Sequence, residues 1–282
     1  METNKVRSVC DVCPHACSLL DGQVGLCQAR RAMDGVVADE NYGHITSLAL
    51  DPIEKKPLAR FMPGSKVLSV GSYGCNLRCP FCQNASIACA GASDVPWREI
   101  TPEQLADMAV DLAPRGNIGI AFTYNEPLVG YEFVRDTAQE VHARRQKNVL
   151  VSNGYANAGV IEELLPLIDA VNIDLKGFTE DFYRWVGGDL TTVKNTIAAF
   201  AATPTCHVEV TTLIIPGKND SEDEITETAA WLASLDRNIV YHITRFFPCH
   251  KLQNCAPTPV KTVYHLAEVA RQYLPYVYTG NC

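Results

Sequence analysis

The sequence predicts an α/β protein, a partial (β/α)6-type parallel barrel with a small cysteine-rich appendage at its amino terminus. From about residue 66 onward, short apolar segments rich in β-branched residues alternate with helical segments. This pattern is typical of parallel strands that helices cover on both faces. No glycine-rich dinucleotide loop follows the first strand, which favours a barrel over an open dinucleotide-binding sheet. In such barrels the chemistry lies at the carboxyl ends of the strands.

The predicted elements follow in order along the chain. Buried strands are expected at residues 65–71, 118–124, 148–152, 170–175, 207–215 and 239–246, with a short seventh strand at 276–278. Helices are expected at 128–146, 158–165, 192–201 and 259–273. Two more helices begin at the capping boxes Thr101-Pro-Glu-Gln104 and Ser221-Glu-Asp-Glu224. We therefore divide the chain into an appendage, residues 1–62, and a core barrel, residues 63–282.

Composition limits the functional classes. The 282-residue chain has a net charge of −8, which argues against a nucleic-acid partner because phosphate binding needs a basic surface. Neither a signal peptide in the first residues nor an apolar run long enough for a membrane helix is evident. We therefore expect a cytoplasmic protein with no membrane partner. Twelve cysteines in such a chain indicate metal binding or catalysis more than disulfides.

Three cysteines follow the first strand at a CxxxCxxC spacing: Cys75, Cys79 and Cys82. Three thiolates in one tight loop can hold three corners of a [4Fe–4S] cube and leave the fourth iron open to a ligand. A zinc ion would need a fourth protein ligand, and this loop contains no histidine. The loop therefore predicts a site-differentiated iron–sulfur cluster.

Four more cysteines, Cys10, Cys13, Cys17 and Cys27, lie close together in the appendage. Four soft ligands fill a tetrahedron, so structural zinc is the leading interpretation. An auxiliary iron–sulfur cluster is the alternative, and buried free thiols are the third.

The CxxxCxxC loop on a serial βα chain resembles the radical S-adenosylmethionine (SAM) superfamily. The sequence is more closely similar to pyruvate formate-lyase activating enzymes, and most closely to the AmmeMemoRadiSam group. The motifs that carry this resemblance occur in order over essentially the whole chain. They are Cys10-Asp-Val-Cys13-Pro-His-Ala-Cys17, Asp51-Pro-Ile-Glu-Lys-Lys-Pro-Leu58, Gly74-Cys-Asn-Leu-Arg-Cys79 with Cys82-Gln-Asn84, Asp174-Leu-Lys176, Leu213-Ile-Ile-Pro-Gly217 and Tyr278-Thr-Gly-Asn281.

The resemblance implies SAM as a cofactor and places its contacts at the strand ends. Glu126 takes the position expected for a contact to the SAM amine, and Lys176 that for its carboxylate. Strand alternation points Asp174 to the same side as Lys176. The remaining expected contacts are Ser152 and Asn153 after the third strand, Thr212 on the fifth and His250 after the sixth, where His250 is preferred over His242.

The implied activity is reductive cleavage of SAM at a [4Fe–4S] cluster to a 5′-deoxyadenosyl radical, which then abstracts hydrogen. The substrate is expected to be a partner protein, as in glycyl-radical enzyme activation, and the electron donor a flavodoxin or ferredoxin. One alternative is radical modification of a small molecule or of an unidentified target in the Ammecr/Memo-linked system. An alternative from another class is a non-catalytic zinc or iron–sulfur binding protein.

Overall fold

A computed structural model describes residues 7–282, so residues 1–6 of the predicted appendage lie outside the described residues. The strands are β1 (Arg7–Val9), β2 (Ser18–Leu20), β3 (Arg30–Met33), β4 (Val36–Asp39), β5 (His44–Ile45), β6 (Ser47–Pro52), β7 (Lys66–Gly71), β8 (Arg98–Glu99), β9 (Asn117–Phe122), β10 (Lys147–Ser152), β11 (Ala170–Asp174), β12 (His207–Ile214), β13 (Val240–Arg245) and β14 (Val277–Gly280). The helices are α1 (Ala85–Ala88), α2 (Pro102–Asp111), α3 (Tyr131–Ala143), α4 (Ala158–Leu164), α5 (Glu180–Val186), α6 (Leu190–Ala201), α7 (Glu222–Leu235) and α8 (Val260–Arg271).

One sheet of eight strands forms the centre of the protein, in the order β14-β13-β12-β11-β10-β9-β7-β6. Seven of these strands are parallel, and β6 pairs antiparallel with β7. The predicted fold class, a parallel-dominated partial barrel, is confirmed. The sheet also contains the short seventh parallel strand, as β14.

The strands are buried because both faces of the sheet are covered. Strand residues such as Leu150, Val171 and Ile243 are fully buried in the main core. Helices α2 to α8 supply the covering apolar faces, as parallel sheets require. All the parallel strands therefore end at one edge, where the loops after β7, β9, β10 and β11 meet.

The opposite, amino-terminal end of the barrel is closed by the segment after β6. The Glu209 carboxylate on β12 accepts hydrogen bonds from the backbone N–H groups of Ala59 (2.9 Å) and Arg60 (2.8 Å). It also accepts bonds from the Nε2 atoms of His207 and His242. Although burial opposes ionisation, these four donors lower the pKa of Glu209 to about 2. An ionised carboxylate thus joins the segment to the sheet.

The appendage consists of small antiparallel pairs. Strand β1 pairs with β2, and β3 with β4. The strand β6 lies within predicted residues 1–62 but extends the main sheet. The division of the chain at residue 62 stays a prediction.

A side-chain N-cap begins four of the eight α-helices, α2, α5, α6 and α7. The Thr101 side chain accepts from Gln104 N and the Gln104 side chain accepts from Thr101 N, as a capping box should. Helix α5 was not predicted. The Thr179 cap, two acidic residues in the first turn and a left-handed glycine, Gly187, at its end are the signals that could have revealed it.

No helix among residues 7–282 is both long enough and apolar enough to cross a membrane.

We predict that Glu209→Gln lowers the free energy of unfolding by about 3 kcal/mol, because an amide can no longer accept from donors on both of its former oxygens. Urea denaturation at pH 7 measures this. The control is Glu163→Gln, which removes a half-exposed carboxylate that pairs with Arg135 and is expected to cost about 1 kcal/mol or less. Equal decreases in the free energy of unfolding for the two variants would contradict the conclusion that Glu209 closes the amino-terminal end of the barrel.

Candidate active site

A cavity of about 670 Å³ opens at the carboxyl edge of the sheet. Its wall includes all three cysteines of the CxxxCxxC loop and residues from strands β9 to β14 or the loops that follow them. Exposed residues, among them Asn84 and Asn281, also line it, so the cavity reaches the surface. The volume is that of a cofactor or substrate site.

Cys75, Cys79 and Cys82 lie together at this cavity. The Leu77 N–H donates to Cys75 Sγ at 3.4 Å. Burial raises the pKa of Cys79 to about 11, so these thiols must lose protons to bind a metal. Three soft donors around an open cavity fit a cluster whose thiolates bind different irons.

Gly74 fixes the start of this loop. Its φ is +91°, and a Cβ atom there would lie 2.6 Å from the Cys27 carbonyl oxygen and 2.8 Å from the Ala29 Cβ. The next residue, Cys75, donates its N–H to the same Cys27 carbonyl at 3.0 Å. Only glycine permits this approach, which packs the cluster loop against the appendage.

The cavity wall at the ends of β9 and β10 is organised by Glu126. Its Oε1 accepts hydrogen bonds from Leu128 N (3.0 Å) and Ser152 Oγ (2.7 Å), and its Oε2 accepts from Asn153 N (2.7 Å). Burial raises the pKa of Glu126 to about 7, against the opposing effect of these donors and of Lys176. Three of its acceptor positions are used, and one is left for a ligand amine.

Asp174 and Lys176 line the cavity after β11, and Lys176 Nζ donates to Asp174 Oδ2 at 2.6 Å. Burial opposes the charge on Lys176, but the Asp174 carboxylate and the nearby Cys79 outweigh it and raise the pKa of the lysine. A cation is thus held beside the cysteine loop, where a ligand carboxylate could bind it.

Two predicted contact residues do not lie on the cavity wall. Thr212 does not line the cavity: its hydroxyl donates to the Leu175 carbonyl (2.9 Å) and accepts from Tyr241 (2.9 Å). Strand alternation turns Thr211 inward instead. His250 does not line the cavity either, because it lies in the loop beyond β13, with a φ of +48°. His242, the alternative that was set aside, lines it.

Sequence reasoning named Asp174 but did not predict that it belongs to a row of cavity residues at one level of the sheet. Asp174 pairs in register with Thr211, Thr211 with His242, and His242 with Tyr278. All four line the cavity. His242 Nε2 donates a hydrogen bond to the Glu209 carboxylate. The Tyr278 ring stacks on the His242 ring, with 5.7 Å between the ring centroids. Register pairing between parallel strands is the signal that could have found the row.

The four appendage cysteines surround a second, small cavity with Arg30 on its wall. Cys10, Cys13 and Cys27 are buried, and Cys17 is half-buried. His15 also lines this cavity, but its Nε2 pairs with the Asn76 carbonyl at 2.8 Å. The donor set is therefore the four sulfurs.

The family model of the radical SAM superfamily matches residues 69–232, a range that contains the cysteine loop, Glu126, Asp174 and Lys176. The chain belongs to the radical SAM superfamily. As a radical SAM protein it uses a [4Fe–4S] cluster and SAM. It is an enzyme with SAM-cleaving radical chemistry, and this replaces the non-catalytic alternative.

The "Uncharacterized protein MJ0808" of Methanocaldococcus jannaschii is 39% identical over 285 residues, which span this whole chain and 83% of that protein. The pyruvate formate-lyase 1-activating enzyme of Escherichia coli K12 is 26% identical over 153 residues, 53% of this chain and 61% of that enzyme. The chain thus spans less than two thirds of that activating enzyme. The predicted relationship to such enzymes is confirmed; membership of the AmmeMemoRadiSam group stays a prediction.

Among solved structures, Streptococcus suis SuiB bound to S-adenosylmethionine aligns with 77% of this chain and 52% of its own, at 11% identity and a TM-score of 0.56. At this identity the likeness shows the fold alone.

We predict that Gly74→Ala prevents assembly of the cluster, because the new Cβ overlaps the Cys27 carbonyl and separates the loop from the appendage. The iron content of the reconstituted protein and its unfolding by urea measure the effect. Gly64→Ala is the matched control: Gly64 has a similar φ of +81° but no atom near the new Cβ. Gly64→Ala should lower the free energy of unfolding by only about 1–2 kcal/mol, because alanine is strained in the left-handed conformation, and the variant should retain its iron. Full iron content in both variants would refute the steric argument.

Proposed function

We propose that this enzyme uses SAM to abstract a hydrogen atom from a partner protein, in the manner of the enzymes that activate glycyl-radical enzymes. The observation that carries the proposal is the open cavity of about 670 Å³, whose wall includes the three cysteines and the Glu126 and Lys176 side chains. Its exposed rim at Asn84 and Asn281 could admit a polypeptide loop.

Cys75, Cys79 and Cys82 would hold three irons of the cluster and leave the fourth for SAM. When bound, the cluster supplies the electron that breaks the bond between the sulfonium and the adenosyl carbon. Glu126 would accept hydrogen bonds from the SAM amine, and Lys176 would pair with its carboxylate. Ser152 holds the Glu126 carboxylate, and the Asn153 side chain donates to Cys75 Sγ at 3.6 Å.

The partner classes follow from the chemistry and from the relatives. Several relatives are named activating enzymes of other enzymes, such as benzylsuccinate synthase activating enzyme from Thauera aromatica, which supports a protein substrate. A one-electron donor, a flavodoxin or ferredoxin, would reduce the cluster. We place this chemistry in the cytoplasm, where thiols stay reduced.

A second candidate is modification of a small molecule or of another target in the Ammecr/Memo-linked system. The observation that favours it is how much of this chain each relative matches. The match to MJ0808 spans the whole chain, whereas the match to the E. coli activating enzyme spans 53% of it.

We predict that Cys79→Ala abolishes 5′-deoxyadenosine formation and the change that SAM causes in the cluster's electron paramagnetic resonance (EPR) spectrum, because one iron loses its ligand. Liquid chromatography of the product and EPR of the dithionite-reduced protein measure both. Cys206→Ala is the matched control, since Cys206 lies just before β12 at the far end of the barrel. Full activity of Cys79→Ala would reject the ligand assignment.

We predict that Lys176→Met raises the KM for SAM about tenfold through loss of a charge-assisted contact, with a smaller effect on kcat. Steady-state 5′-deoxyadenosine formation measures this. Lys147→Met is the control: Lys147 Nζ also pairs with a carboxylate, Asp169 Oδ1 at 2.7 Å, but at the amino-terminal end of β10. An unchanged KM in Lys176→Met would remove this residue from the SAM site.

The substrate class is tested by deuterium transfer. A candidate glycyl-radical enzyme labelled with deuterium at its glycine Cα is incubated with the reduced enzyme and SAM, and 5′-deoxyadenosine is analysed by mass spectrometry. We expect one deuterium in the product and a glycyl-radical EPR signal on the partner. Deuterium from a labelled metabolite, with none from the protein, would favour the second candidate.

A further inference from the structure

The four-cysteine cavity of the appendage has a donor set and a charge arrangement that the SAM chemistry leaves unexplained. Cys10, Cys13, Cys17 and Cys27 surround it, and Arg30 forms part of its wall. Arg30 is only 3% exposed. Its terminal nitrogens contact Glu132 and the Val37 carbonyl, but its buried Nε has no hydrogen-bond partner among the described residues. A buried cation with a free donor beside four thiols points to an anionic group in the cavity.

Four thiolates can hold either tetrahedral zinc or an iron–sulfur cluster. The place of the site in the fold favours the redox-active group. Cys27 contacts the CxxxCxxC loop directly, because its carbonyl accepts a hydrogen bond from the Cys75 N–H at 3.0 Å.

Two buried side-chain amides lie between the two sites. Asn76 lines the four-cysteine cavity. Asn153 Nδ2 donates to Asn76 Oδ1 at 3.0 Å and to Cys75 Sγ at 3.6 Å. A second connection is the backbone hydrogen bond from Cys75 N to the Cys27 carbonyl, 3.0 Å long. The sites are thus joined through a buried, hydrogen-bonded contact.

We propose that Cys10, Cys13, Cys17 and Cys27 bind a second iron–sulfur cluster, which passes single electrons to the SAM-binding cluster through the Asn76–Asn153 contact. A low-potential one-electron donor of the flavodoxin or ferredoxin class is oxidised by one electron and reduces the second cluster. That cluster is reoxidised as the SAM-binding cluster is reduced. In this step no proton is transferred, and no bond is formed or broken. The proposal depends on the SAM-binding cluster but not on the identity of the substrate.

Reciprocal ligand variants test the metal assignment. The full chain is reconstituted anaerobically with iron, sulfide and zinc all present, and the metals are counted. We expect about eight irons in the wild type and about four in the Cys75→Ala/Cys79→Ala/Cys82→Ala variant. The iron of that variant should give a reduced-cluster EPR signal that SAM does not alter. Zinc in place of iron in this variant, or loss of all bound metal, would overturn the proposal.

This triple variant leaves the appendage cysteines intact, so the test does not depend on the folding of an appendage mutant. As a complement, Cys13→Ser/Cys17→Ser should retain about four irons and a SAM-responsive EPR signal. The reduced wild type should show EPR broadening from two neighbouring spins, which both multiple variants lack. Absence of spin coupling in wild type that contains eight irons would contradict the proximity of the two clusters.

Asn76→Leu tests the electron path. We expect reduction of the SAM-binding cluster by reduced flavodoxin to slow about tenfold, as outer-shell changes at metal sites commonly do, with iron content unchanged. Freeze-quench EPR measures the rate without any substrate. Asn148→Leu is the matched control, because Asn148 is also fully buried with its side-chain amide bonded to backbone carbonyls, but lies at the other end of the sheet. Equal rates in wild type and Asn76→Leu would overturn the relay. If the metal counts and reduction rates agree with the proposal but no deuterium passes from the candidate glycyl-radical enzyme to 5′-deoxyadenosine, only the proposed substrate is refuted.

Discussion

The Glu126 carboxylate accepts three hydrogen bonds from Leu128, Ser152 and Asn153 while it is almost fully buried. Burying a carboxylate is costly unless such donors compensate, so the ends of β9 and β10 are held in one relative position. The Glu126 N–H donates to the Gly74 carbonyl at 3.2 Å, which ties the cysteine loop to the same point. The scaffold therefore places Cys75 independently of any metal, and a cluster meets a largely preorganised site.

A second buried carboxylate, Glu209, has the same role at the amino-terminal end of the barrel. Its donors come from the segment after β6, from His207 on the same strand and from His242 on the neighbouring β13. Asp51 extends this connection, because its side chain accepts from Lys56 Nζ (2.8 Å) and Tyr124 OH (2.8 Å). The Asp51–Leu58 motif thus belongs to the closure of the barrel, with its apolar members Ile53 and Leu58 in a separate small core. Closing this end leaves the carboxyl edge as the open one.

Most of the predictions came from local sequence patterns. The CxxxCxxC spacing located the cysteine loop, and strand periodicity located the residues that follow β9, β10 and β11. Thr212 lies off the cavity wall because a shift of one residue along a strand moves a side chain to the other face. His250 lies off it because a motif position does not determine the path of the loop after β13. Three of the four donors of Glu209 come from segments about 150 and 33 residues away, and no local pattern encodes such contacts.

Several contacts of the appendage reach the loops that form the cysteine site. Asn157 N donates to the Val12 carbonyl at 2.9 Å, Arg30 pairs with Glu132 at the start of α3, and the Cys27 carbonyl accepts from the Cys75 N–H. These contacts reach the loops after β7, β9 and β10, the same three that form the cysteine site. They use backbone groups and the Arg30 side chain rather than cysteine sulfurs, so the scaffold positions Cys75 without the thiols of the appendage. The separation between the cysteine cavity and the SAM-binding loop is therefore set by the fold, whichever group occupies the cavity.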